Sequence, residues 1–539
     1  MAAVATGCDS PARVKPWRHA PDPAAEAEHE PRSHALDGIS GSDGSLADRA
    51  HTLRISVDAE PGRLSPLVSP SLWARRITLG TIFEPLIRYV PGDSPASAGH
   101  YAPRLAKAWK VMPDGLEVRI YLEDNITFHD GAPLTTSDVQ FTIDTIRDPR
   151  TRGVEHLRSL LVDVAAVELI TSREVRLRLN HPSAWTLRAL AEIPILPMHL
   201  CDPNALGLAP LVGSGPWKLA SNKNGVVHLT RYDKYWGPAP AIPDLEFIYE
   251  PDAAAALAAA KRGDVDIIPA LISQHLQQAD SPGLGAFHRL DLAPPRMRAL
   301  AFNLARAPLD DERVRHAIAL LIDRRNIASH VFANLERPAL WPIWPGGLVS
   351  GPEVAIPAFD PAAAGKLLDD AGWVDTDKDG FRDKGGKPLH LVMIGSERTA
   401  PKDLSGPAQK SEREMFVDAA RRAGVRVEVR TGSEAKRYED GNWDLVEVEL
   451  GGMVDADASD LLAGPKHATS PRVDRALDAL TAAWEPSERF ALAPELAAAL
   501  AETWPLAGIV ADAPRGLVAA RVRGVRVWDG WIDLTQLSF

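Results

Sequence analysis

The chain has 539 residues, room for three or four packed units at roughly 100–200 residues each. Hydrophobic residues make up 45% and charged residues 24%, a globular composition in which no run approaches the ~18 uninterrupted apolar residues of a membrane-spanning helix. The net charge of −12 argues against nucleic acid as a partner, and two cysteines are too few for a disulfide framework or a cysteine-ligated structural metal.

Residues 1–50 read as the remnant of a signal followed by a disordered tether. Pro21, Pro23, Pro31 and the glycines from Gly38 to Gly44 break any helix, and no apolar period runs through them. Ahead of the tether, Ala5-Thr6-Gly7-Cys8 looks like a bacterial lipobox, in which small residues admit a peptidase before a cysteine that is then acylated. Too few residues precede Cys8 for a charged start and an apolar core of 7–15 residues, so the lipidation reading places Met1 inside a longer signal. The alternative is a chance string in an Ala-rich chain.

The folded chain is expected to begin with a strand at Leu53–Val57, where apolar and polar residues alternate. A helix is predicted from Trp73 to Val90, with Leu79, Ile82, Phe83 and Leu86 at helical spacing. Leu116–Leu122 alternates strictly and reads as a half-wet strand. Ser137–Arg147 reads as a helix capped by Ser137, and Val164–Ile170 with Val175–Leu179 as a hairpin around Thr171–Glu174. Val226–Arg231 and Leu245–Tyr249 are further strands. Asp252 caps an Ala-rich helix that runs to Lys261 and closes at Gly263. Helices are predicted over Asp310–Val331 and Asp360–Ala371, the second closed by Gly372. Strands and helices alternate without internal repeats, which is an α/β architecture of more than one lobe.

Four blocks of residues resemble family 5 of the extracellular solute-binding proteins, the peptide-, dipeptide- and nickel-binding subunits of bacterial ABC importers. The first runs from Pro103-Arg104-Leu105-Ala106 and Trp109 through Asp114-Gly115 to Phe128-His129-Asp130-Gly131-Ala132-Pro133-Leu134 and Asp138-Val139. The second is Gly213-Ser214-Gly215-Pro216-Trp217, followed by Tyr235-Trp236-Gly237 and Gly263-Asp264-Val265-Asp266. The third joins Phe302-Asn303 to Pro308-Leu309-Asp310 and Ile322-Asp323-Arg324. The fourth is Phe359-Asp360-Pro361 with Ala371-Gly372-Trp373. As scaffolding these blocks supply turns at Asp-Gly steps and core anchors in Trp109, Trp217, Trp236 and Trp373.

The resemblance implies a two-lobed periplasmic-binding-protein-like α/β fold with an extra inserted domain and a hinge between the lobes. By analogy lobe I is discontinuous, over 51–88, 198–295 and 501–539. The inserted domain covers 89–197 and lobe II covers 296–500. The implied function is an extracytoplasmic solute-binding component of an ABC-type importer that captures short peptides without covalent chemistry and delivers them to the permease subunits. A monomer is expected, periplasmic or at the cell surface, touching the membrane only through a lipid anchor at Cys8. The alternatives are a sensor or scaffold on the same fold without transport, or a binder of a nickel complex, haem or an oligosaccharide.

No enzymatic chemistry is expected. His129-Asp130 reads as a structural turn, since neighbouring turn residues point apart and no nucleophile-elbow motif accompanies them. No cofactor is expected either. Asp375, Asp377, Asp379 and Asp383 follow loop positions 1, 3, 5 and 9 of a calcium loop with Gly380 at position 6, but Gly386 stands where a bidentate Glu belongs. That loop is a weak metal candidate beside its reading as a solvated hairpin.

For the ligand, the resemblance points to Asp455, at the position where peptide binders pair a carboxylate with the α-ammonium. Gly452 stands where the family has Trp, leaving space for a bulkier first side chain beside Met453. The competing reading is an exposed acidic loop, because Asp457 and Asp460 crowd the same stretch. Trp341 and Trp344 on a Pro-stiffened loop either sandwich a ligand group or pack on their own lobe. Ser69 and Ser71 fall in the segment 66–72, where the family's backbone pairs with an extended peptide as an added strand would.

Overall fold

Alternation from Thr52 to Val57 puts Leu53, Ile55 and Val57 on one face, and all three are fully buried in the first strand of the computed structural model. The structure describes residues 51–68, 71–90, 99–269, 287–291, 297–332, 336–341, 343, 354–395, 411–431, 442–450, 471–512, 515–528 and 531–539. Strands are numbered in chain order. Lobe I is built on a seven-stranded sheet in the order β12 (Phe287–Asp291), β21 (Arg515–Ala519), β11 (Ile267–Ile268), β1 (Thr52–Val57), β10 (Asp244–Tyr249), β9 (Val226–Arg231) and β8 (Trp217–Lys223). β1 lies parallel to β10, with Thr52 opposite Asp244 and Val57 opposite Tyr249, while β9 and β8 continue antiparallel.

A four-stranded antiparallel sheet, β4 (Ala106–Val111), β5 (Glu117–Leu122), β7 (Glu174–Leu179) and β6 (Val164–Leu169), is inserted between β1 and β8. Its buried Val118, Ile120, Val175 and Leu177 belong to the same continuous core as Leu53 and Ile55. The predicted hairpin around Thr171–Glu174 is the β6–β7 pair. A short pair, β2 (Ile87–Val90) and β3 (His100–Pro103), precedes that sheet.

The second lobe has its own core around a six-stranded sheet in the order β14 (Glu336–Pro338), β20 (Leu506–Asp512), β13 (Met297–Phe302), β19 (Leu445–Leu450), β17 (His390–Ile394) and β18 (Arg426–Arg430). The hairpin β15 (Asp383–Lys384) and β16 (Lys387–Pro388) stands apart, and β22 (Val527–Trp528) pairs with β23 (Trp531–Ile532).

Helix ends follow local chemistry. Asp252 accepts from the amides of Ala254 and Ala255, and Gly263 takes the positive φ that closes that helix. Asp360 caps Pro361–Asp370 in the same way, with Gly372 at φ 83°.

Three expectations are corrected. The helix predicted over Trp73–Val90 covers only Leu72–Thr78: Gly80 turns the chain with φ 80°, and Ile87–Val90 is drawn into pairing with β3. The helix at Thr136–Arg147 is capped by Thr135, not Ser137, through a capping box with Asp138. The helix predicted over Asp310–Val331 is broken. Its first part ends at Leu320, and the Asp323 carboxylate then accepts from the Asn326 amide and starts a new turn.

Trp217 is fully buried, while Trp109, Trp236 and Trp373 are half-buried against the cores. In the Gly213-Ser214-Gly215 motif, a Cβ on either glycine would overlap the carbonyl oxygens of Ile82 and Thr81, so only glycine permits this approach.

Candidate functional site

The chain passes from the seven-stranded to the six-stranded sheet between β12 and β13, and returns between β20 and β21. Met297, Leu450 and Ala511 lie side by side at the ends of their strands nearest these crossings, with Glu336 opposite Asp512. This crossing end of lobe II is the candidate site.

Charged side chains gather there. Arg298, one residue into β13, puts Nη1 3.2 Å from both carboxylate oxygens of Glu412, and its Nη2 lies 3.7 Å from Glu336. Its guanidinium also sits 4.7 Å from the centroid of the Phe332 ring. Arg413 donates from Nε to Glu447 at 2.7 Å. Glu412 and Arg413 open the helix Glu412–Arg422, which Ser411 caps in a box with Glu414. Burial pushes the Glu412 carboxyl above its ordinary range; Arg298 pulls it back down, and the charge of Glu447 raises it again. The hydrogen bonds from Arg298 and the charge of Arg413 also act to lower it.

None of these five charged residues was singled out from the sequence. Their one visible signal is Glu447 and Glu449 alternating with Val446, Val448 and Leu450.

The sequence-based candidates fall elsewhere or outside the description. Ser71 caps the helix Leu72–Thr78, its hydroxyl accepting from the Ala74 amide at 3.3 Å. Trp341 is 1% exposed, its ring 5.2 Å from that of Trp504 inside the lobe II core. Ser69, Trp344, Gly452, Met453, Asp455 and Cys8 lie outside the described residues.

In the Asp-rich loop, oxygens of Asp375, Asp377 and Asp383 lie within 4.8 Å of one another, without Asp379. The loop's own groups engage each of the three residues, although Asp375 Oδ1 is buried without a partner. Asp383 accepts from the Thr376 amide at 2.9 Å and from its hydroxyl at 2.8 Å, Asp375 from the Gly380 amide at 3.1 Å, and Asp377 from the Asp379 amide at 3.2 Å. His129 and Asp130 turn to separate partners. His129 donates from Nε2 to the Gly215 carbonyl at 2.9 Å and accepts on Nδ1 from the Gly213 amide, while Asp130 meets His199 at 2.7 Å.

A further polar centre, Glu84, is fully buried in lobe I. It accepts from Ser214 Oγ at 3.1 Å, Tyr235 OH at 2.7 Å and Trp236 Nε1 at 2.9 Å, and it faces Arg104 Nε at 3.0 Å. Arg104, Ser214, Tyr235 and Trp236 all belong to the quoted motifs, so those motifs converge on one carboxylate that sequence reasoning passed over. An acidic residue set between Ile82-Phe83 and Leu86 is the signal that could have found it.

Comparison with known proteins agrees with this architecture. Nickel-binding periplasmic protein of Escherichia coli K12 is 25% identical over 379 residues, 67% of this chain and 70% of its own. A probable di/tripeptide-binding protein 5 of Pseudomonas aeruginosa UCBPP-PA14 is 29% identical over 347 residues, covering 59% of this chain and 64% of its own, a little under two thirds. The oligopeptide-binding protein AppA of Bacillus subtilis, solved with a nonapeptide, shares the fold at TM-score 0.66 and 18% identity over 90% of this chain and 98% of that one. The family model for the middle region of bacterial extracellular solute-binding proteins, family 5, matches residues 100–469, and with it the chain belongs to that family.

Proposed function

We propose that this solute-binding protein is the capture component of a peptide-type ABC importer: it holds a short peptide between its lobes, closes about a hinge at the two crossings, and delivers the peptide to a membrane permease. It works outside the cytoplasm, tethered through an acylated Cys8. The observation that carries the peptide reading is Glu412 at the crossing end of lobe II. Among the described residues, Glu412 gathers there with Glu336 and Glu447 around two guanidiniums, Arg298 and Arg413; an end this rich in carboxylates favours a ligand that brings a positive charge, and a peptide's α-ammonium is such a charge. Strand β19 ends at Leu450, opposite Met297, so the chain enters the segment that contains Asp455 from the same end. Asp455 then pairs with the α-ammonium, and Gly452 and Met453 leave room for the first side chain.

Calorimetry with one short peptide and its N-acetylated twin tests this. Replacing Asp455 with Asn removes the charge but keeps the shape. Breaking a buried charge pair costs ~3–5 kcal/mol, a loss of roughly two to three and a half decades in affinity. Acetylation costs the wild type a similar amount and the Asn variant much less, so the two losses do not add. Additive losses, or an Asp455→Asn protein that binds the free peptide unchanged, overturn the amine-recognition reading. Selective binding of a nickel complex with no response to peptides overturns the substrate class.

A further inference from the structure

We propose that the corner between the helices Pro471–Ala482 and Pro486–Thr503 is a clasp, which fastens lobe II to the inserted sheet when the lobes close and lets go when they open. The proposal rests on the hinge in the reading above and not on which solute is captured.

The corner joins two bodies with separate cores. Val473, Leu477 and Leu480 of its first helix, and Leu496 and Leu500 of its second, are buried in the lobe II core. The surface it meets carries Gly115 and Ala184, and their chain neighbours Val118 and Leu187 belong to the lobe I core. A swing of one core against the other about the two crossings therefore has to make or break what lies between them.

Three contacts lie there. The Ala184 amide donates to the Thr481 carbonyl at 2.8 Å. Trp484, between the two helices, is half-buried and packs against the lobe I core, although its neighbours in sequence serve lobe II. A Cβ on Gly115 would stand 3.3 Å from the Trp484 Nε1, so the Asp114-Gly115 turn, with Gly115 at φ 68°, lets the indole in close. Arg489 donates from Nη2 to the Tyr101 hydroxyl at 3.4 Å, its guanidinium 5.9 Å from the centroid of that ring.

The first contact also aligns two helices. Ala184 is the N-cap of Trp185–Glu192 and offers no side-chain cap, while Thr481 lies in the last turn of Pro471–Ala482. The carbonyl end of a lobe II helix thus meets the amide end of a lobe I helix, a favourable pairing of dipoles. All the groups involved are neutral except Arg489, and its partner here is a phenol. Contacts of this kind lose little when water replaces them, so the clasp can be made and broken as the lobes move.

The test is small-angle X-ray scattering from the whole chain without ligand. One protein carries Ala184→Cys and Thr481→Cys, with Cys8→Ser and Cys201→Ser, and is oxidised to lock the clasp. The 2.8 Å hydrogen bond holds the two Cα atoms at most about 6.7 Å apart, within the ~4.4–6.8 Å that a disulfide spans. A second protein is Ala184→Pro. Ala184 already has φ −62°, which proline adopts, so this change spares the helix and removes the amide donor. The third is Trp484→Ala, which lies outside both helices. The locked protein should show the smallest radius of gyration and the Pro and Ala variants the largest; reduction should return the locked protein toward the wild type. A cysteine pair that does not oxidise, or curves for the locked protein and Trp484→Ala that superimpose, would overturn the proposal. No ligand enters these measurements, so a failure of the peptide reading, which calorimetry detects, leaves their outcome intact.

Discussion

Replacing Glu84 with Gln should be among the most damaging isosteric changes in lobe I. Glu84 is fully buried, and its two oxygens take donors from Ser214, Tyr235 and Trp236 while opposing the Arg104 guanidinium. Burial works against the charge on Arg104, yet Glu84, with Tyr235 and Asp533 behind it, lifts the guanidinium above its ordinary range. Burial and the same carboxylate also hold the Tyr235 phenol far above its usual value, fully protonated as a donor. Gln at this position removes the charge and turns an NH2 toward groups that are themselves donors. Losing one member of a buried pair costs ~3–5 kcal/mol, which should lower the melting transition of this lobe by roughly 6 °C or more. Calorimetric melting of wild type, Glu84→Gln, Arg104→Met and the double variant measures it. Arg104→Met should cost much less in the Gln background, with a coupling of ~1–3 kcal/mol. A Glu84→Gln protein that melts within about 2 °C of the parent, or two losses that simply add, would refute the reasoning.

Two further outcomes concern titration and metal. His129 faces the Gly213 amide, the Gly215 carbonyl, Lys218 and Asp130, and burial holds its pKa below the ordinary 6.5. Its contribution to stability is thus complete above about pH 6.5 and is lost as pH falls toward the folded value; His129→Gln, which can keep both hydrogen bonds, should flatten the fall in melting temperature between about pH 7 and pH 5, and parallel curves would sink the idea. The Asp375 loop should show little calcium dependence, because Thr376 takes both Asp383 oxygens and Gly386 stands where the bidentate Glu of a calcium loop belongs; a melting rise of several degrees at near-millimolar calcium would contradict this.

Much of the scaffold was legible in the chain. Period-2 alternation marked β1, β5 and the β6–β7 hairpin, and Asp252 with Gly263 and Asp360 with Gly372 marked two helices from cap to stop. These signals are local: each group acts on backbone within four residues of itself, so neighbours in sequence are enough to state the physics. Tertiary pairing overrode local period where the two met, as when Ile87–Val90 left its predicted helix to pair with β3. The charged chemistry was legible only as isolated residues. Glu84 and Ser214 are 130 positions apart, and Arg298 and Glu412 are 114 apart. Nothing near Arg324 in the chain announces that it reaches Gly508, 184 positions on, or that one of its nitrogens is left without a partner. The worth of a charge or a donor depends on what lies within a few ångströms and on how much water has been removed. Both are properties of the packed chain, so which polar residues matter here was decided by the tertiary structure.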